Sequence, residues 1–409
     1  MLRLSASFLA AVLLLPAQPV DWIISARYVV TMDSRSRILE NGAVAVSGER
    51  IVAVGAKNDI DQRYQAKERI DQPESILMPG LINTHTHAPM VLLRGIADDL
   101  GLQEWLEKYI FPAEAKNVTP EFVRWGTRLA CLEMLLSGTT TYADMYYFEE
   151  IIAQETRTAG MRGVLGQTII GFPVPDAKTP AAGLKRAGEF IRRFKDDPLI
   201  VPAVAPHSVY TNSDDTLKAA RDLADRYHAP LLIHVSETKK ENEDIQAKRR
   251  TTPVRLLETL GVLNGPTLAA HAVWVDDSDI STLKRHGTGV AHCPSSNMKL
   301  ASGVAPVLKM LRAGINAGLG TDGPAGSNND LNLFEEMDLA AKLQKVTLLD
   351  PEALNAREVL EMATILGARA LGMAKQIGSI ESGKRADLIS ISLKEPHAVP
   401  MYNVYSHLV

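Results

Sequence analysis

The chain has 409 residues, 46% of them hydrophobic and 22% charged, with a formal net charge of −4. That composition belongs to a globular protein with enough apolar residues for a large core. No lysine/arginine block stands out, which argues against a nucleic-acid partner. The two cysteines, Cys131 and Cys293, lie in apolar surroundings and read as buried free thiols rather than a disulfide.

Residues 1–20 carry Arg3, then an apolar run from Phe8 to Leu15, then small and helix-breaking residues. This is the layout of a secretory signal peptide, with Ala17 the best candidate for the last residue removed. It predicts a periplasmic or secreted protein, and a cytoplasmic one if the leader reading fails. The run is too short to span a bilayer as a helix, and no other stretch is longer, so no stable membrane insertion is expected. Residues 21–75 read as short strands separated by turns at DSRS, ENG and SGER. A similar signature, GSIESGKRADLISIS, recurs within residues 375–409. Two β segments that flank a long centre can pair, which predicts a small composite β domain built from both chain ends.

Residues 76–374 alternate short apolar strands with amphipathic helices, the βα pattern of a parallel sheet. Eight strands can be counted: LINTHTH, TTTYADM, RGVLGQTII, IVPAVAPH, PLLIHVSE, TLAAHAVWV, TGVAHCPSS and INAGLGTDG. Eight such units predict an α/β fold, a (β/α)8 TIM-like barrel, with a doubly wound sheet as the structural alternative.

Six of the ten histidines fall at the ends of these strands: His85 and His87, His207, His234, His271 and His292. Glu237 and Asp322 lie at strand ends as well. In a barrel these ends converge on one face. Alternation along a strand sends positions i and i+2 to the same side, so His85 and His87 project together as two imidazoles for one metal. Imidazole and carboxylate donors suit zinc, with iron the alternative.

The stretches PGLINTHTHAPM, HVSET, AHAVWV, HCPSSNMKLASGVAPV and GLGTDG resemble the amidohydrolase superfamily. More narrowly they resemble its deaminase and chlorohydrolase branch, near the 5-methylthioadenosine/S-adenosylhomocysteine deaminases. The resemblance implies one divalent metal ion held by His85, His87, His234 and Asp322. It implies Glu237 as the proton shuttle, His271 as the residue that orients the attacking water, and Asp322 as its proton acceptor. His207 stands where binuclear relatives carry a carbamylated lysine, hence one ion rather than two. Substrate contacts are implied for Glu114, His207 and Glu237. The implied reaction is attack of a metal-activated water on the amino-bearing ring carbon of an adenosine-type substrate, with ammonia released. The alternatives are a chlorohydrolase or deaminase of another heteroaromatic ring (triazine, guanine, cytosine) and, in a different class, a non-catalytic assembly protein of the same fold. The expected partner is a small-molecule substrate, with self-association open.

Four further expectations concern detail. His292 is read either as a supporting residue of the site or as a structural one. Asn328 and Asn329 are read as turn or cap residues. Trp105 and Leu106 are read as an apolar lid, against ordinary helix packing. Relatives that take S-adenosylhomocysteine grip its carboxylate with arginines near the third strand. Here Arg162 lies at that strand's start, the next arginine is Arg186, and the mouth offers Gln167, Phe172, Pro173, Val174 and Pro175. Such a wall predicts 5′-methylthioadenosine or adenosine as better substrates than S-adenosylhomocysteine. Finally, the end HAVPMYNVYSHLV stops where family members usually continue: read as a fragment it predicts an incomplete small β domain with an open edge, and the alternative is a natural short terminus.

Overall fold

The computed structural model describes residues 17–409. Residues 1–16, which hold most of the expected signal peptide, lie outside the described residues. The first strand, β1, spans Gln18–Val30. It takes in residues 18–20 of the stretch read as the leader, beyond the expected cleavage after Ala17, and Gln18, Pro19 and Val20 pair with Tyr64, Gln65 and Ala66.

The small sheet contains β1, β2 (Ile38–Ser47), β3 (Arg50–Ala56), β4 (Tyr64–Pro79) and β13 (Leu388–Ser392), in the order β13-β4-β1-β2-β3. β1 runs parallel to β4 and antiparallel to β2. β13 joins β4 antiparallel, Leu388 opposite Pro79 and Ser392 opposite Ser75. The sheet is thus made from both chain ends, as the two β signatures predicted. β2 shows why it holds: Val44 and Val46 pack on one face with Ile51 and Leu77, and Ala43 and Ala45 on the other with Ile23 and Ile60. That is a period of two with both faces covered.

The domain edges differ from the sequence expectation. β4 continues to Pro79, past residue 75, because Ile76, Leu77, Met78 and Pro79 are apolar and buried. The C-terminal helix Val404–Leu408 leaves the small sheet and packs on the helix Ala356–Met362 beside the barrel, burying Val404 and Leu408 in the main core.

Seven of the eight barrel strands fall within the stretches read from the sequence, and the second runs one residue past its own, to Tyr146. The eight are β5 (Leu81–Thr86), β6 (Thr139–Tyr146), β7 (Arg162–Ile169), β8 (Ile200–Pro206), β9 (Leu231–Val235), β10 (Thr267–His271), β11 (Gly289–His292) and β12 (Ala317–Leu319). They close into a parallel barrel, with β12 beside β5. The interior is filled by Ile82, Ala143, Val164, Ala203, Leu232, Leu268, Ala270 and Ala291, small residues interleaved with branched ones. Residues of the opposite parity, such as Val290 and Leu319, face the surrounding helices. At the N-terminal end of the barrel, Arg162 Nε lies 3.2 Å from Asp387 Oδ2 and its Nη1 donates to the Pro198 carbonyl. This ties β7 to the segment leading into β13. Among the described residues no helix is long and apolar enough to cross a membrane.

Candidate active site

The strand ends that converge carry His85 on β5, His87 just beyond it, His234 on β9, His271 at the end of β10 and Asp322 after β12. Asp322 Oδ1 is 3.2 Å from His85 Nε2 and 3.3 Å from His87 Nε2. His234 Nε2 is 3.3 Å from His87 Nε2. Donor atoms of His85, His87 and Asp322 lie within 4.8 Å of one another, and so do those of His85, His234 and His271.

Three of these rings are anchored from behind, which fixes their tautomers. His87 Nδ1–H donates to the Met145 carbonyl at 2.7 Å, and His234 Nδ1–H donates to the His207 carbonyl at 2.8 Å. A carbonyl only accepts, so the proton sits on Nδ1 and the Nε2 lone pair faces the common centre. His271 Nδ1–H donates to Asn297 Oδ1 at 3.2 Å with the same result. Asp322 Oδ2 accepts from Ser296 Oγ at 2.7 Å, leaving Oδ1 for the centre.

These residues fit a metal ion on geometric grounds. Two imidazole Nε2 atoms facing each other across 3.3 Å require a proton or a metal ion between them. His85 Nε2 is buried and has no hydrogen-bond partner among the described residues, although Asp322 is close. Ligands held ~2.0–2.1 Å from one tetrahedral ion lie roughly 3.3 Å apart, the separation found here. Burial lowers the pKa of His85 to about 4, and holds those of His234 and His271 down as well. These rings are thus neutral, the form that ligates. His87 differs: burial lowers its pKa, but the Asp322 and Asp144 carboxylates outweigh that and raise it to about 9. The proton it would hold is one a divalent ion displaces.

Glu237 follows β9 and faces this centre, its Oε2 3.9 Å from His271 Nε2. Burial first, and the Asp322 charge second, push its pKa up to about 8. A carboxyl that stays protonated near neutral pH can donate. The preceding residue, Ser236, is held at a φ of +52°.

The pocket above the centre is lined on its polar side by His87, His207, His234, Glu237, His271 and Asp322, and by Glu114. His207 Nδ1 is 3.1 Å from Thr211 Oγ1, and burial lowers its pKa to about 3. Glu114 accepts from Tyr147 Oη at 3.4 Å, and burial raises its pKa to about 7. The roof is one continuous helical segment, Leu102–Glu104, a π-helical turn Trp105–Ile110, and Phe111–Asn117. It presents Leu102, Trp105, Leu106, Ile110 and Phe111 to the pocket, and Trp105 Nε1–H is pinned to the Ala325 carbonyl at 2.8 Å. Phe172 packs edge-on against Phe111, with ring centroids 5.0 Å apart.

The structure thus gathers His85, His87, Glu114, His207, His234, Glu237, His271 and Asp322 around one pocket. The expected mouth wall of Gln167, Phe172, Pro173, Val174 and Pro175 does not line this pocket, Phe172 only backing Phe111 and Val174 lying in the core, and His292 does not join it either. Gln167 points outward, where its Nε2 donates to Asp176 Oδ2 at 2.9 Å; β7 alternates, so Val164 and Thr168 face inward instead. His292 is buried with neither ring nitrogen partnered among the described residues, and it does not line the pocket. Cys131 and Cys293 are buried free thiols. Asn328 is a loop lock: its Nδ2 donates to the Thr321 carbonyl and to Glu336 Oε1. Sequence reading passed over Ser296 and Asn297, the partners of Asp322 and His271. Nothing in their stretch, HCPSSN, says which side chain reaches across to which loop.

Comparison with known proteins agrees with this geometry. The model of the Amidohydrolase family matches residues 76–408. A 5-methylthioadenosine/S-adenosylhomocysteine deaminase of Syntrophus aciditrophicus (strain SB) is 49% identical over 390 residues, 95% of this chain and 88% of that protein. A 5′-deoxyadenosine deaminase of Methanosarcina acetivorans is 45% identical over 391 residues, again 95% of this chain and 88% of that one. The crystal structure of an adenosine deaminase from Xanthomonas campestris with bound zinc superposes with a TM-score of 0.94 at 42% identity, covering 96% of this chain and 89% of that one. With a matching model over most of its length and relatives this similar, the chain belongs to the amidohydrolase family.

Proposed function

We propose that this chain is a zinc-dependent hydrolytic deaminase of adenosine-type nucleosides, acting on the carbon–nitrogen bond of the purine amino group. The observation that carries the reading is the placement of the buried Glu237 carboxyl, 3.9 Å from His271 Nε2 at the histidine/Asp322 cluster and beneath an apolar roof, where burial raises its pKa. His85, His87, His234 and Asp322 would hold the ion. When bound, a divalent ion of this kind lowers the pKa of water enough to supply a nucleophile at neutral pH.

The chain's own groups do the rest. Glu237 gives its proton to the ring nitrogen next to the amino-bearing carbon, which makes that carbon electrophilic. Asp322 takes one proton from the attacking water and returns it to the departing amine, and the water's second proton restores Glu237, so that water and the nucleoside become the ring carbonyl and ammonia. His271, its Nδ1–H tied to Asn297, keeps Nε2 free to orient the water. Glu114 accepts from ribose hydroxyls, and His207 offers a neutral imidazole to the substrate. Trp105, Leu106 and Phe111 cover the base and exclude bulk water, which strengthens each charge interaction below them.

The pocket selects a small, uncharged 5′ group. Among the described residues that line it there is no lysine or arginine. Arg162 is engaged at the far end of the barrel with Asp387, and Arg186 is paired with Glu150 and Asp176. A zwitterionic tail would therefore lose water without gaining a guanidinium partner. The order expected is 5′-methylthioadenosine, 5′-deoxyadenosine and adenosine ahead of S-adenosylhomocysteine. The test is ammonia release by zinc-loaded protein across these four, with guanine, cytosine and a chlorotriazine as controls. Release from a control only would overturn the substrate class, and a lead for S-adenosylhomocysteine would overturn the selectivity.

A further inference from the structure

Past the end of β9 the chain turns sharply into the helix Lys239–Arg249. The turn consists of Ser236, Glu237 and Thr238. Thr238 caps the helix in the ordinary way, its Oγ1 accepting from Glu241 N at 3.1 Å. In a capping box the glutamate at this third position reaches back to the cap residue's own N–H. Glu241 reaches further. Its Oε1 accepts from Ser236 N at 3.1 Å and its Oε2 from Glu237 N at 2.8 Å. Both oxygens of a buried carboxylate are spent on two successive backbone amides.

Those amides belong to a strained peptide. Ser236 sits at a φ of +52°, a conformation that side-chain-bearing residues rarely adopt and that persists only where the surroundings impose it. The other side of the turn is held as well, because the Ser236 carbonyl accepts from Val273 N at 3.0 Å and Trp274 N at 2.9 Å. This imposed turn is what swings Glu237 from the strand toward His271 and Asp322. Cap satisfaction alone would need neither the second oxygen nor the strained residue.

We propose that Glu241 is a positioning residue for the deamination: by clamping the N–H groups of Ser236 and Glu237 it fixes the aim of the Glu237 carboxyl at the substrate's ring nitrogen. The inference rests on the proton-donor role proposed for Glu237. Glu241 touches neither substrate nor metal; it acts through the backbone. Glu241→Gln keeps the shape but turns one acceptor into a donor, so one of the two amides loses its partner.

The test is a double-mutant cycle on zinc-loaded protein, with melting temperature and metal content recorded for each variant. Glu241→Gln is expected to lower kcat roughly 10–100-fold, the scale of a misplaced catalytic group, with KM changed less than about threefold and metal content kept. If Glu241 works through Glu237, Glu237→Gln/Glu241→Gln is no slower than Glu237→Gln alone, since a group cannot be misaimed once it no longer functions. Amide hydrogen exchange at residues 236–237 is expected to quicken in Glu241→Gln. Two outcomes overturn the proposal: losses that multiply in the double variant, or parent-like kcat and exchange in Glu241→Gln. Glu241→Asp, which keeps the charge but reaches only one amide, is the second variant. If neither single variant folds, Glu241 is a structural cap and the proposal is wrong. A parent that releases no ammonia from any nucleoside would sink the functional reading instead, and the exchange measurement would still decide whether the clamp exists.

Discussion

At the C-terminal ends of the barrel strands, Ser236, His271, Ala272 and Asp322 hold positive φ values of 52°, 70°, 48° and 62°. At the N-terminal ends the same conformation falls mostly to glycines, such as Gly287 before β11 and Gly314 before β12, with His228 the exception. A glycine adopts it freely, whereas a residue with a side chain is held there at a cost of about 1–3 kcal/mol. One end of the barrel therefore uses residues chosen for the turn. The other keeps residues chosen for their side chains and bears the strain. The strained end is the one that carries the candidate site.

That division can be broken by substitution. The largest effect is expected from His85→Ala or Asp322→Ala. Each removes a donor from the central cluster, so bound metal should be lost and kcat/KM should fall by at least ~10³-fold, several kcal/mol of charge stabilisation. Metal analysis with turnover checks this; either variant keeping both would place the chemistry elsewhere. Next comes Glu237→Gln, expected to keep its metal and lose at least ~100-fold in kcat, because the amide cannot pass a proton. Turnover near the parent with metal bound would identify another donor.

A smaller and pH-dependent effect is expected at Glu114. Burial raises its pKa from 4.5 to about 7, so it carries charge only above that value. If its carboxylate accepts from ribose, KM should rise as pH falls through 7, and Glu114→Gln should raise KM roughly tenfold at pH 8 and flatten the profile. The stability sign is opposite. A carboxyl whose folded pKa is raised favours the folded state at low pH, and that contribution is lost as pH rises from 4.5 to about 7. At pH 8, Glu114→Gln should melt higher than the parent, which a thermal scan at two pH values would show. The smallest effect on rate is expected from Arg162→Ala. It should cost about 1–3 kcal/mol of stability by leaving Asp387 unpaired, yet change kcat less than about twofold. A large loss of rate with the melting point unchanged would dissolve the distinction between the two ends.

Much of this was legible beforehand because two periodicities carry it. The eight strands announced themselves as apolar runs between amphipathic helices, and the i, i+2 spacing of His85 and His87 placed both imidazoles on one side. The same parity settles Gln167: counting from Val164 puts Thr168, not Gln167, inside. Ser296, Asn297 and Glu241 could not have been found by periodicity. They lie in loops or in the first turn of a helix, and their partners are set by how neighbouring loops cross in space. The roof was half legible. Trp105 and Leu106 do cover the pocket, but the π-helical turn that presents them has no spacing of its own in the sequence.

The pairing of β13 with β4 has a consequence for biosynthesis. β4 ends at Pro79 and its partner begins at Leu388, so the whole barrel is made between them. At ribosomal rates of about 5–20 residues per second, roughly 15–60 s separate the two strands. Throughout that interval the edge of β4 along Ser75–Pro79, with Ile76, Leu77 and Met78, has no hydrogen-bonding partner on that side. The nascent chain carries an unpaired apolar edge for as long as its barrel takes to appear, which makes this segment the natural point for a chaperone to hold and the first place for two immature chains to stick together.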